Sequence, residues 1–274
     1  MGSKTRKAPK YKLSIDQVGY CHPKHKSRRK GATCLPADVY KEVKAAGNDI
    51  CGPHDDHCIL DRLPLDEVKK EELRKEYLRP RYPASWYKKK DQWLDNFQII
   101  DVMKQYETTF PWFRFMGALP MDFSAPDPYR PKDQPKQCMQ PDVCNLNLKA
   151  EYDKGVRGIG FIFNLDPHFK GGSHWVAMYI DLRSVSKPGA YYFDSYGMKT
   201  PPLVARLMRS LRLQIPALTM AYNARRFQFS DSECGVYSMY FIVCMLQHIP
   251  FRKFCKTSVP DGFMLSLREA FFSK

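Results

Sequence analysis

Gly171-Gly172-Ser173-His174-Trp175-Val176-Ala177-Met178-Tyr179-Ile180 places a glycine-rich loop and a histidine directly before an apolar run that ends at Asp181. A short apolar run between such breakers predicts a strand. Similar runs flank it, Ile159 to Phe163 before and Ala190 to Phe193 after, so three adjacent strands of one sheet are expected. Further on, Pro201 to Leu211 begins with two prolines and keeps helical spacing, which predicts an amphipathic helix lying on that sheet, followed by a strand at 217–222. Cys234 to Gln247 is apolar on nearly every side and predicts a buried helix, and Asp261 to Phe272 predicts another. Upstream, Trp93 to Tyr106 has the apolar period of a core-facing helix. Strands and helices in this arrangement predict an α+β fold.

With 274 residues, 43% of them hydrophobic, the chain can bury a sizeable core. Its longest uninterrupted apolar run, Tyr240 to Leu246, is far too short to cross a bilayer, and its charged start carries no apolar signal segment. An intracellular chain with no membrane partner is expected. The nine cysteines are odd in number and irregularly spaced, which predicts reduced thiols rather than a disulfide framework. The net charge of +15 is uneven: Lys4, Arg6, Lys7, Lys10, Lys12, Lys24, Lys26, Arg28, Arg29 and Lys30 face only Asp16 in the first thirty residues. Such a segment is suited to weak, salt-sensitive contact with DNA, or simply to a solvated tail.

Helical patterns at 35–46 and 66–78 predict a small, mostly helical N-terminal arm, and the mix of proline and charge at 79–90 has the composition of a connection. The division expected is therefore 1–85 for a basic arm and 86–274 for a catalytic domain. Six prolines between Pro120 and Pro141 predict an irregular surface excursion.

Chemistry enters with Gln228-Phe229-Ser230-Asp231-Ser232-Glu233-Cys234-Gly235. A thiol is mostly protonated at neutral pH and needs help to become a nucleophile. Cys234 opens a buried helix, after Ser230, Asp231 and Ser232 as candidate caps, so the helix dipole and free N–H groups favour its thiolate. Gly235 would let a substrate approach closely. His174 sits where a loop enters a strand, a place for a general base, and Asp194 ends the next strand, where it can fix the imidazole tautomer. Asp181 competes for that role but is expected at the opposite end of the strand. Gln228 stands just upstream of the helix and can donate to an oxyanion together with the Cys234 N–H. The constellation predicts a cysteine hydrolase.

His174-Trp175, Asp194-Ser195, and Gln228 six residues before Cys234 in Glu233-Cys234-Gly235 resemble the SUMO-protease and adenain superfamily of cysteine proteases. Trp93-Leu94-Asp95-Asn96 resembles the Trp-Leu-Asn-Asp start of the SUMO-protease domain with the last two residues exchanged. The resemblance implies a mixed central sheet flanked by helices. It also implies His174 as base, Asp194 as its orienter, Cys234 as nucleophile and Gln228 as oxyanion donor. Trp93 and Trp175 would be aromatic walls around a diglycine segment, which alone is narrow enough to pass between indoles. The length, the basic arm, its Cys51 and Cys58, and Phe115 to Asp122 most resemble the virion-maturation proteases of large DNA viruses, the asfarvirus type especially.

That resemblance implies an endopeptidase cutting after Gly-Gly in viral structural polyproteins or core proteins, at assembly sites in the host cytoplasm and in the virion. No cofactor and no metal is expected, although a DNA or peptide activator would fit the analogy with adenain. Alternatives are a deSUMOylating or other ubiquitin-like-protein isopeptidase, a bacterial-effector type of acetyltransferase, and a non-enzymatic DNA-associated virion protein. Cys21, His22, His25 and Cys34, with Cys51, His54, His57 and Cys58, match no familiar zinc spacing. Gly171-Gly172-Ser173 is expected to be a flexible hinge rather than a cleavage site.

Overall fold

Apolar runs that lack polar alternation are strands buried on both faces, and the three expected runs lie together at the centre of the molecule. The structure is a computed structural model that describes residues 12–25, 33–39, 41, 51 and 55–273. Five strands form one sheet in chain order: β1 (Phe113–Pro120), β2 (Gly158–Asn164), β3 (Trp175–Asp181), β4 (Gly189–Phe193) and β5 (Thr219–Tyr222). The middle three are antiparallel, whereas β1 runs parallel to β2 and β5 parallel to β4. A parallel neighbour cannot be reached by a hairpin, so both outer strands are joined to the centre by crossovers that carry helices.

Among the described residues the helices are α1 (Ile15–Val18), α2 (Asp56–Arg62), α3 (Glu67–Tyr77), α4 (Asn96–Thr109), α5 (Pro141–Cys144) and α6 (Leu148–Asp153). They continue with α7 (Pro202–Gln214), α8 (Cys234–Leu246), α9 (Phe251–Phe254) and α10 (Asp261–Phe271). One sheet face, with Ile162, Ala177, Tyr179 and Phe193, packs in a single cluster with α8 and the inner sides of α4 and α10. The other face, with Phe161, Phe163, Val176, Met178 and Tyr192, packs with Val204, Leu207, Met208 and Leu211 of α7. Every residue of α8 is buried, and each large side chain so buried contributes ~1.5–3 kcal/mol. The nucleophile candidate is thus carried by the most deeply buried helix among the described residues.

Strand β1 was not among the expected elements. Its register shifts between Phe115 and Ala118, and Gly117 has a φ of +115° that interrupts the pattern. Half of the expected helix at 35–46 falls outside the described residues, as do His54 and most of the basic N-terminal stretch. Composition also misleads at 79–90: Arg79, Tyr82 and Trp86 are buried, and the Trp86 ring meets Phe272 edge-on at 4.9 Å. Gly172 is no loose hinge, because its φ of +90° belongs to a turn in which Asn164 Oδ1 accepts the N–H groups of Ser173 and Asp166.

The expectation of reduced thiols is overturned. Cys21–Cys34, Cys51–Cys58 and Cys138–Cys144 are disulfide-bonded, leaving Cys234, Cys244 and Cys255 free. Irregular spacing hid pairs that the fold brings together. The excursion from Pro120 to Pro141 is irregular as expected, apart from a bridge between Pro126 and Cys138. Among the described residues no helix is long and apolar enough to cross a membrane.

Candidate active site

Register brings the chemistry together. The end of β4 lies beside the start of β3, with Phe193 opposite Ala177, so the residues just beyond each, Asp194 and His174, meet at one sheet end. His174 Nε2 donates to Asp194 Oδ1 at 2.8 Å, with both side chains buried. Asp181 lies at the far end of β3, held by Arg183 at 2.6 Å, as the spacing predicted.

Asp194 is itself fixed from two sides. The Tyr196 N–H donates to its Oδ1 at 2.8 Å. Asn223, just past β5, accepts the Asp194 N–H at 2.8 Å and donates to its carbonyl at 2.6 Å. The chain turns away at Gly197, whose φ is +76° and where a Cβ would sit 2.7 Å from the Arg225 backbone. Only glycine fits that turn.

Burial by itself disfavours the imidazolium of His174. Hydrogen bonding to Asp194 and to Cys234, together with the negative charge of both partners, outweighs burial and pushes its pKa up to about 9. With Nε2 on the carboxylate, Nδ1 is the ring nitrogen left for the sulfur.

Cys234 is the first residue of α8, and Glu233 precedes it without a side-chain capping bond. The hydroxyl and carboxylate caps expected from Ser230, Asp231 and Ser232 do not form. Glu233 turns inward instead, pairing with Arg268 of α10 through Nε at 3.0 Å and Nη2 at 2.9 Å, and the guanidinium lies 4.4 Å from the Trp86 ring centre. The first N–H groups of α8 are therefore left without a side-chain cap beside the thiol, where they favour negative charge.

Gly235 has a different use from the one expected. A Cβ there would lie 3.0 Å from Leu94 Cδ1 and 3.3 Å from Trp175 Cδ1, so the glycine admits the chain's own side chains rather than a substrate. Trp175 is buried and donates its indole N–H to the Leu94 carbonyl at 2.9 Å. Trp93 is 45% exposed. Both tryptophans line a cleft of about 650 Å³ with His174, Gly171, Gly172 and Tyr129.

Gln228 is fully buried, its Oε1 accepting from Ser195 Oγ at 2.6 Å and its Nε2 donating to the Ser230 carbonyl at 2.8 Å. The same Nε2 stands 3.5 Å from the Tyr196 hydroxyl. Sequence reasoning missed Asn223, Tyr196 and Arg268. Nothing in their local sequence marks them, because each acts through a contact made across the fold.

The fold and this cluster together define an α+β architecture, a mixed sheet with a histidine–aspartate pair at one end and a cysteine at the start of a buried helix. A family model described as YopJ serine/threonine acetyltransferase matches residues 139–259. A putative thiol protease of Acanthamoeba polyphaga mimivirus is 32% identical over 192 residues, covering 67% of this chain and 58% of that protein. This chain thus spans less than two thirds of that relative's length. A cysteine protease of African swine fever virus, isolate Tick/Malawi/Lil 20-1/1983, is 27% identical over 185 residues, covering 65% of this chain and 67% of that one. A crystal structure of an African swine fever virus protease shares the fold with a TM-score of 0.71 at 19% identity, over 93% of this chain and 96% of that one. The chain is thus similar in sequence to thiol and cysteine proteases of large DNA viruses and shares the fold of the African swine fever virus protease.

Proposed function

We propose that this chain is a cysteine endopeptidase that cleaves after Gly-Gly in viral structural polyproteins or core proteins during virion maturation. The observation that carries the reading is the buried His174–Asp194 pair at 2.8 Å, with its imidazolium held up to about 9 beside Cys234. Relatives named as thiol and cysteine proteases support the reaction type.

Cys234 Sγ, its proton passed to His174, attacks the carbonyl carbon of the second glycine. The tetrahedral oxyanion is met by the Cys234 N–H and by the Gln228 side-chain amide. His174 returns the proton to the leaving amine as the C–N bond breaks and the thioester forms. Water, deprotonated by the same imidazole, then attacks the thioester and releases the carboxylate and the free thiol. Asp194 keeps Nδ1 aimed at sulfur throughout. The cleft between Trp93 and Trp175 admits a backbone without side chains, which accounts for the diglycine requirement. Residues 1–85 act as a basic arm beside the catalytic domain of residues 86–274, suited to DNA near the assembling particle.

The test is incubation of the wild-type chain and Cys234→Ala with Gly-Gly-X peptides and with SUMO or ubiquitin conjugates. Cleavage of the peptides by wild type alone is the expected result. Cleavage of conjugates only would assign an isopeptidase, and cleavage of neither would end the protease reading. The acetyltransferase family match favours a second reading, in which Cys234 accepts acetyl from acetyl coenzyme A. Release of free coenzyme A with a hydroxyl-bearing acceptor would identify it.

A further inference from the structure

Tyr196 touches three parts of the site at once. Its ring stacks on the His174 imidazole, centroids 4.6 Å apart and planes inclined at 22°. Its backbone N–H donates to the Asp194 oxygen that also holds His174 Nε2. Its hydroxyl donates to the Ser230 carbonyl at 3.2 Å, beside the Gln228 amide.

We propose that Tyr196 is a positioning residue for the base, its electron-rich ring holding the imidazole plane between Asp194 and Cys234 and favouring the imidazolium over the neutral ring. Hydrogen bonds to Asp194 and Cys234 set the direction in which the ring nitrogens point, and a stacked face holds the plane of the ring about that line. A phenol face also attracts a cation. The charged and titratable groups around the imidazole are Asp194 at the end of β4 and Cys234 at the start of α8. Beyond them, the Arg226 guanidinium stands 5.2 Å from the centre of the Tyr196 ring, and the Asp231 charge acts on the Tyr196 hydroxyl. Arg226 also donates to the Gln228 carbonyl at 2.6 Å, so the Tyr196 ring lies between the base and the loop of the oxyanion donor.

The kinetic part of the test rests on the peptidase reading, but a second readout does not. Alkylation of Cys234 by iodoacetamide, followed against pH in the full chain, reports the thiolate–imidazolium pair without any peptide. Tyr196→Phe, which keeps the ring, is expected to retain the alkaline limb of the wild-type alkylation profile. Tyr196→Leu, which keeps bulk without a π face, is expected to lower kcat about tenfold at nearly constant KM, since misorienting a general base forfeits part of its contribution. It should also move the alkaline limb of the alkylation profile to lower pH, because the imidazolium loses its stacked partner. Tyr196→Met replaces it should the leucine variant melt below the assay temperature. An unchanged alkaline limb in the non-aromatic variant overturns the proposal, and so does a Phe variant whose limb moves as far as that of the Leu variant. A wild type that cuts no peptide but whose limb still moves in Tyr196→Leu would overturn the peptidase reading alone.

Discussion

His174 is subject to opposed influences: burial disfavours its cation, and Asp194 and Cys234 favour it more strongly, up to about 9. The folded pKa lies above the ordinary value of 6.5, so the stability this pair contributes is fully present below about pH 6.5 and is lost as pH rises through about 9. Wild type should therefore lose unfolding free energy between those limits, read from urea titrations at each pH, and His174→Gln should lose less. Catalysis gives a sharper readout. Asp194→Asn should lower kcat by about a hundredfold or more, because the amide supplies neither the charge nor a fixed tautomer. It should also bring the alkaline limb of the rate profile to lower pH. An unchanged limb would mean that Asp194 does not set the base. These residues were legible in the sequence because each stands at an element boundary, but Asn223 was not, since a buried asparagine after a strand carries no local signal.

At the scale of elements, α8 is held at its start by Leu94 and Trp175 over Gly235 and by Arg268 on Glu233. Gly235→Ala would force its Cβ to 3.0 Å from Leu94. Overpacking of this kind costs ~1–3 kcal/mol and exceeds the gain of up to ~1 kcal/mol in helix propensity. A net loss of stability in urea titration is expected, with a larger fall in activity as Trp175 is displaced from the cleft. Arg268→Met leaves the Glu233 carboxylate buried and unpaired, which should cost about 3–5 kcal/mol. Glu233→Gln combined with Arg268→Met should recover part of that loss, measured as a double-mutant cycle. The expected helices and central strands were readable from period and breakers. Strand β1 was not, because its Gly117 bulge breaks the alternation that marks a strand.

Over the whole molecule, the N-terminal segment reaches the back of α8. The Leu13 N–H donates to the Tyr240 hydroxyl at 2.8 Å, and that hydroxyl donates to the Leu13 carbonyl at 2.9 Å. Arg79 binds the Val18 and Gly19 carbonyls and the Tyr106 hydroxyl of α4. Tyr240→Phe removes both Leu13 bonds and should cost about 1–3 kcal/mol, with faster hydrogen exchange at residues 12–19 than in wild type. Thiol titration of the denatured, unreduced chain should find three free thiols, rising to nine after reduction, in line with the three disulfides. Nine thiols before reduction would show that those bonds are absent in solution.

By itself the sequence determined the α+β class, the central strands, the buried helix and the order His174, Asp194, Cys234, because apolar period and chain breakers are local properties. Tertiary structure alone decided what Gly235 accommodates, why Glu233 turns inward and which cysteines pair. Each of these is a contact between residues remote in sequence, set by strand register and helix packing, and no local pattern encodes it.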